Sequence, residues 1–207
     1  RADSVAVEEA GAETYRLGPV ALSATSDIEG DRVNGDFRMS IGALAVPGYG
    51  ESDFNVAIRF TGVDGAALGR MVQKLEDAGD QATPQELQLL LQDDIENLVA
   101  AGFELHVDQL DFELPQGPVA LTMRFDVEAS DTGAFDLSSL LMTLDADADL
   151  TASAGFVDHA MAMNPDAGAI LGMGDLRRNG DVYEMHAEYA KGLLTINGAP
   201  MPIPMGQ

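Results

Sequence analysis

Two short stretches carry the side chains best suited to chemistry. "ELHVD" sets Glu104, His106 and Asp108 at alternate positions, and "EMHAE" does the same with Glu184, His186 and Glu188. An imidazole between carboxylates is material for a metal site or for acid–base work. The spacing limits both. In an extended strand residues i and i+4 lie about 13 Å apart, so neither triplet can close on one ion by itself. A site would need the two strands side by side, each giving its histidine and one neighbour. Otherwise the triplets are the solvated faces of acidic strands. His159 falls on the third helix described below, outside either pattern.

Other motifs exclude more than they suggest. "DADADL" spaces Asp145, Asp147 and Asp149 like the start of a calcium loop, but its sixth position is Leu150 and its twelfth Phe156. The glycine turn and the bidentate glutamate are both missing. "GVDGAALG" and "GAILGMG" lack the spacing and the Lys-Ser/Thr of phosphate-binding loops. "LSSLL" has no nucleophile-elbow context. The chain has no cysteine, which removes disulfides, thiolate catalysis and thiolate metal sites. The expectation is a protein that is not an enzyme, with no catalytic, cofactor-binding or metal-ligating residue assigned.

Charge narrows the partners. Thirty-five acidic residues against eleven basic ones give −24 over 207 residues. Such a field repels phosphate backbones and anionic headgroups, so nucleic acid is excluded as a partner. The acids are spread along the chain, which reads as a hydrated surface suited to a salty medium. Hydrophobic content of 46% is ordinary for a folded domain. No apolar run approaches the ~20 residues that span a bilayer. The chain opens on Arg1, and Val5 and Val7 already alternate as in a strand. It is therefore expected to start inside a longer protein, with a signal or anchor cut away.

Strands must position these residues. Phe54, Val56, Ile58 and Phe60 alternate with polar or small residues, as do Leu121, Met123, Phe125 and Val127. A period of two with one wet face argues for antiparallel sheet. In "FELHVDQLDFEL" the apolar phase changes from Phe103, Leu105 and Val107 to Leu110, Phe112 and Leu114. That flip predicts a β-bulge or a break at Asp108–Gln109.

Three helices interrupt the strands. The clearest has Thr83 as N-cap, Pro84 at N1, Glu86 completing a capping box and Gly102 as its stop. Leu87, Leu90, Leu91, Ile95 and Leu98 form its expected buried stripe. A shorter helix is predicted over 66–78, a third over 156–163 ending before Pro165, and a further turn over 166–171.

The halves look related. Residues 43–47 and 56–60, "ALAVP" and "VAIRF", resemble 111–115 and 121–125, "DFELP" and "LTMRF". The expectation is one elongated domain over 1–207, with an internal repeat of 1–80 and 81–207 or two similar lobes. The C-terminus reads as a meander turning at Asn179–Gly180, Lys191–Gly192 and Asn197–Gly198. Pro200, Pro202 and Pro204 then remove donors along one edge, while Met201, Ile203 and Met205 share a face. The expected result is an edge strand that buries its apolar side but cannot recruit another strand.

The ending "GLLTINGAPMPIP", preceded by "GDLRRNGDVYEMHAEYAKG", resembles the C-terminus of YdgA-like bacterial cell-envelope proteins. The mid-chain "LVAAGFELHVDQLDFELPQGPVALTMRFDV" is similar to a central segment of the same family. The resemblance implies a periplasmic body, a Gram-negative source and an inner-membrane anchor ahead of residue 1. It transfers no catalytic residue. The extreme acidity departs from the family pattern.

Together these readings predict an α+β fold: a curved, mainly antiparallel sheet with three or so helices packed on its apolar face. The functional expectation is a non-catalytic periplasmic module sheltering an apolar or lipid ligand on the face of Phe54, Phe60, Phe103, Phe112 and Phe125. The alternative is a protein–protein scaffold or assembly factor in the envelope. No cofactor is expected, and the membrane is met only through the anchor.

Overall fold

The computed structural model describes residues 5–7, 15–46, 50–79, 83–130, 141–163 and 176–201. The alternating segments become the strands of one antiparallel sheet. They are β1 (Val5–Val7), β2 (Tyr15–Leu17), β3 (Val20–Glu29), β4 (Arg32–Val46), β5 (Gly50–Asp64), β6 (Phe103–Leu114) and β7 (Gly117–Val127). They continue as β8 (Leu144–Ser153), β9 (Arg177–Asn179), β10 (Val182–Ala190), β11 (Leu193–Ile196) and β12 (Ala199–Met201). The order across the sheet is β1-β2-β4-β5-β6-β7-β8-β10-β11-β12, with β3 also on β4 and β9 also on β10. Among the described residues the helices with both ends placed are α1 (Gly65–Ala78), α2 (Pro84–Ala101) and α3 (Ala154–Met163), and residues 141–143 are helical ahead of β8.

Register gives the sheet two different faces. Ala24, Phe37, Ile58, Val107, Met123, Ala148, Ala187 and Ile196 are successive cross-strand partners, an apolar row running from β3 to β11. The phase change in β6 is absorbed as predicted. Val107 pairs with Met123 and Leu110 with Leu121, so Asp108 and Gln109 together oppose Thr122. Without that extra residue Leu110, Phe112 and Leu114 would turn to the polar face. Gly35 lies beneath the Phe60 ring; a Cβ there would sit 2.4 Å from Phe60 Cζ.

The expected α+β arrangement, with helices layered on the apolar face, is not what forms. The molecule is mostly antiparallel sheet, and a helical layer over it is absent among the described residues. The ten-strand path spans about 43 Å at about 4.8 Å per strand. The longest helix, α2, reaches about 27 Å, and α1 and α2 pack chiefly on each other, meeting the sheet along β5. Phe37, Phe54, Phe60, Phe103, Phe112 and Phe125 stay half-buried. Among the described residues ten apolar residues are buried, all Val or Ala except Leu114. The two hairpins that prompted the repeat, β4–β5 and β6–β7, lie side by side within the one sheet.

α3 is the helix that does pack on the apolar face. Val157 enters a cluster with Val119 and Ala152, flanked by Phe112, Leu150, Phe156, Met161 and Tyr183. Phe112 and Phe156 meet edge to face, ring centres 5.8 Å apart. Ser153 starts the helix: its Oγ accepts from Phe156 N–H at 3.1 Å and donates to Gln116 C=O at 2.9 Å. Burying a side chain such as Val157 contributes about 1.5–3 kcal/mol.

The α1–α2 hairpin is held mainly by charge. Thr83 and Glu86 form the predicted capping box, and Gly102 stops α2 at φ 74°. The buried stripe differs from the expected one. Asp94 is almost wholly inaccessible, whereas Leu90 and Ile95 are exposed. Asp94 lies three residues after Leu91 and four before Leu98, on the inner face, where Arg70 Nε reaches it at 2.6 Å and Lys74 Nζ at 2.7 Å. A buried carboxylate between two cations displaces the leucines outward. Arg32 then ties α2 to the sheet, donating to the carbonyls of Gly62 (2.7 Å), Ala101 (2.9 Å) and Gly102 (3.1 Å). Its positive charge sits at the negative end of the helix dipole.

The C-terminal meander forms from β10 through β12, whereas β9 shares one edge of β10 with β11 because β8 takes the other. Lys191–Gly192 and Asn197–Gly198 are two-residue turns with φ positive at all four positions, as type I′ hairpins require. The upstream turn is Gly180–Asp181, one residue later than expected. Pro200 pairs with Thr195, one step beyond the hydrogen-bonded pair that flanks the turn. Its missing N–H therefore faces outward, as predicted. Pro202, Ile203, Pro204 and Met205, Pro165 and the turn expected over 166–171 lie outside the described residues.

Candidate functional site

The opposite face of the sheet collects the residues that could do chemistry. Asp36, Arg59, His106, Arg124, Asp147 and Glu188 are successive cross-strand partners from β4 to β10. Both histidine triplets of the sequence reading lie on this face, but β7 and β8 separate their strands. Three strand spacings put them about 14 Å apart. The shared site that required adjacent strands is not built.

Local pairing accounts for the charges. His106 Nε2 lies 3.0 Å from Glu104 Oε2, and His186 Nδ1 lies 2.8 Å from Asp149 Oδ1. Arg59 grips Asp108 with two hydrogen bonds, Nη2 to Oδ1 at 2.9 Å and Nε to Oδ2 at 3.1 Å. Arg124 donates to Asp126 at 3.0 Å. The His106 hydrogen bond holds the Glu104 carboxyl below its ordinary range, and the Arg59 hydrogen bond does the same for Asp108. Among the described residues the side-chain partners of His106 and His186 are carboxylates, not hydroxyls. Among the described residues no group of three or more His, Asp or Glu side chains could hold a metal ion.

Two recesses open on this polar face. One, of about 580 Å³, lies over β7, β8 and β10 and is lined by Arg124, Asp126, Asp145, Asp147, His186 and Glu188. The other, of about 270 Å³, lies over β3 to β6 with Ser23, Arg38, Ser40, Asn55 and Ala57 in its walls. Both are shallow; the first is mainly polar, while Ala21, Leu22, Met39 and Val56 make the second more apolar. "DADADL" contributes Asp145 and Asp147 to the first, while Asp149 is taken by His186.

The apolar face is the other candidate surface. The five phenylalanines expected to share a face do share it: Phe54 faces Phe112, Phe60 and Phe125 flank Leu105, and Phe103 faces Val127. α3 covers one end of this face, and toward β3 the residues open outward, Leu22 63% and Ile28 74% exposed. The accessible surface is 13264 Å² for 21.8 kDa, where a compact monomer of that mass exposes about 9,300 Å². Sequence reasoning found the residues of this face but missed Asp94 and Arg32, which no hydrophobic pattern marks. The Arg59/Arg124 equivalence hinted at in "VAIRF" and "LTMRF" becomes physical here, since both arginines flank His106 in one row.

Fold and site together define an open-sheet protein with one apolar and one acidic face. No helix among the described residues is long and apolar enough to cross a membrane. The chain belongs to a family of bacterial proteins of unknown function (DUF945), whose model matches residues 1–204. No curated protein and no solved structure matches it.

Proposed function

We propose that this protein is a non-catalytic module of the bacterial cell envelope, on the periplasmic side, and that its apolar face takes up an apolar ligand such as the acyl chain of a lipid. The observation that carries the reading is the apolar row from Ala24 to Ile196, most of it half-buried, with α3 packed at one end of that face among the described residues. A contiguous apolar face that stays partly exposed marks an interaction site in a stable protein. Half-buried Phe, Leu and Met side chains suit a loosely specified hydrocarbon, since methionine adapts its shape and phenylalanine supplies area. The acidic face keeps the other side of the sheet in water and repels anionic headgroups. The compartment rests on the resemblance of the C-terminal stretch to YdgA-like envelope proteins.

Native mass spectrometry of protein isolated from its own envelope tests this. The expected result is bound lipid that delipidation removes and a fluorescent long-chain fatty acid replaces saturably. Phe125→Asp abolishes rebinding while circular dichroism stays unchanged. A ligand-free preparation that also fails to bind the fatty acid overturns the reading.

A second reading, an envelope scaffold, is favoured by the α1–α2 hairpin. Its outer side exposes Val72, Leu75, Leu89, Leu90 and Ile95. It predicts partners that co-purify in mild detergent and are lost on Leu89→Asp with the fold intact.

A further inference from the structure

β3 forms one edge of the sheet, and among the described residues it pairs only with β4. Every residue from Ala21 to Glu29 is exposed, and among the described residues none packs over that edge. Its ten residues, VALSATSDIE, contain no Lys, Arg, Pro or Gly. Lys, Arg and Pro guard exposed edges, and the charges this strand does carry, Asp27 and Glu29, sit at one end of it. The free backbone groups can be identified. Gly42 N–H donates to Pro19 C=O at 3.0 Å, so Pro19 turns its carbonyl toward β4. Odd-numbered residues of β3 then face β4. Val20, Leu22, Ala24, Ser26 and Ile28 turn their N–H and C=O groups outward. The two-residue turn joining Glu29 to Arg32 demands the same phase.

We propose that this edge pairs with a second copy of this chain, β3 running antiparallel to its counterpart about a two-fold axis at Thr25. The strand is self-complementary in that register. Leu22 faces Ile28 of the second copy and Ala24 faces Ser26, each pair exchanging two backbone hydrogen bonds. Thr25 faces Thr25, Ser23 faces Asp27 and Ala21 faces Glu29. No carboxylate meets a carboxylate, whereas an axis at Asp27 would set Asp27 against itself. A one-residue slip is also disfavoured, because it would place the apolar face of one copy beside the polar face of the other. In the proposed register the two apolar faces join, and Leu22 and Ile28, the large apolar side chains left exposed on this strand, cover each other. The opposing force is the charge of −24 on each chain. Pairing therefore strengthens with salt, as the screening length falls from about 10 Å at 0.1 M to about 3 Å at 1 M.

The absence of cysteine makes the register testable. In Thr25→Cys the two sulfurs meet across the axis from Cα atoms about 4.5 Å apart, within disulfide range. In Ser23→Cys they are about 13 Å apart. Under mild oxidation in about 1 M salt, Thr25→Cys cross-links at least about tenfold faster than Ser23→Cys. The unaltered chain sediments as a salt-promoted dimer. Ala24→Pro deletes an outward N–H but no bond to β4, and sediments as a monomer with unchanged circular dichroism. If Ala24→Pro misfolds, the cross-linking ratio still decides. Monomer at every salt and protein concentration, or equal cross-linking at positions 23 and 25, overturns the proposal.

Discussion

The two sides of this sheet are finished by opposite means. On the β10 side the last strands are short, the exposed β9 carries Arg177 and Arg178, and Pro200 turns a missing donor outward. α3 covers the apolar face there. On the β3 side a ten-residue strand ends the sheet with its donors intact, no helix over it among the described residues, and Leu22 and Ile28 in solvent. An edge guarded by proline and arginine beside one left open shows that the chain has the means to block pairing and applies it on one side. The open side is where a partner strand fits.

The largest expected effect separates the sides directly. Ala24→Pro on the open edge converts a dimer to a monomer in sedimentation at high salt. Thr25→Pro, whose N–H faces β4, also lowers stability to urea by about 1–3 kcal/mol, because a ladder partner is left unpaired. Equal urea midpoints for the two prolines would break the assignment of inward and outward groups.

The faces come next. Val157 is 2% exposed beneath α3, so Val157→Ala removes packed methyl groups and costs about 2 kcal/mol in urea unfolding. Leu22→Ala on the bare side stays within about 0.5 kcal/mol for the monomer. Similar losses at both positions would mean that the bare side is covered in solution.

Acid sharpens the contrast between this apolar packing and the charge-held hairpin. Asp94 has its carboxyl held below the ordinary aspartate range, first by Lys74 and then by Arg70. A depressed folded pKa contributes stability above the unfolded value, about 3.9. That contribution is lost as pH falls through the lower folded value. Asp94→Asn should therefore be less stable than the unaltered chain at neutral pH. The gap should close on acidification below about pH 3.9, read as urea midpoints across pH. A gap that persists in acid would assign Asp94 a role in shape and not in charge.

The smallest effect is on the guarded edge. Pro200→Ala restores one outward N–H on a three-residue strand, and stability should move by less than about 0.5 kcal/mol. Light scattering on standing should show a modest rise in self-association. A large rise would make this proline the main barrier to pairing on that side.

Local chemistry made much of the chain legible. The capping box at Thr83, the stop at Gly102, the bulge at Asp108–Gln109 and the Asn197–Gly198 turn follow from neighbours a few residues apart, so the sequence holds all of their parts. The apolar face was legible too, because a period of two assigns sides before any pairing is known. Which strands lie between β6 and β10 is not a local property. Only the tertiary structure parted His106 from His186 by two strands, and a single sequence carries no pairing order. The burial of Asp94 was equally hidden, since its cations come from α1 and the heptad-like leucines around it suggest a different stripe. The expected helical layer failed for a reason of size. Pattern gives each helix an apolar side, but only assembly shows that α1 and α2 pack chiefly on each other around Asp94 with much of their apolar surface still exposed, leaving a sheet wider than α3 can cover.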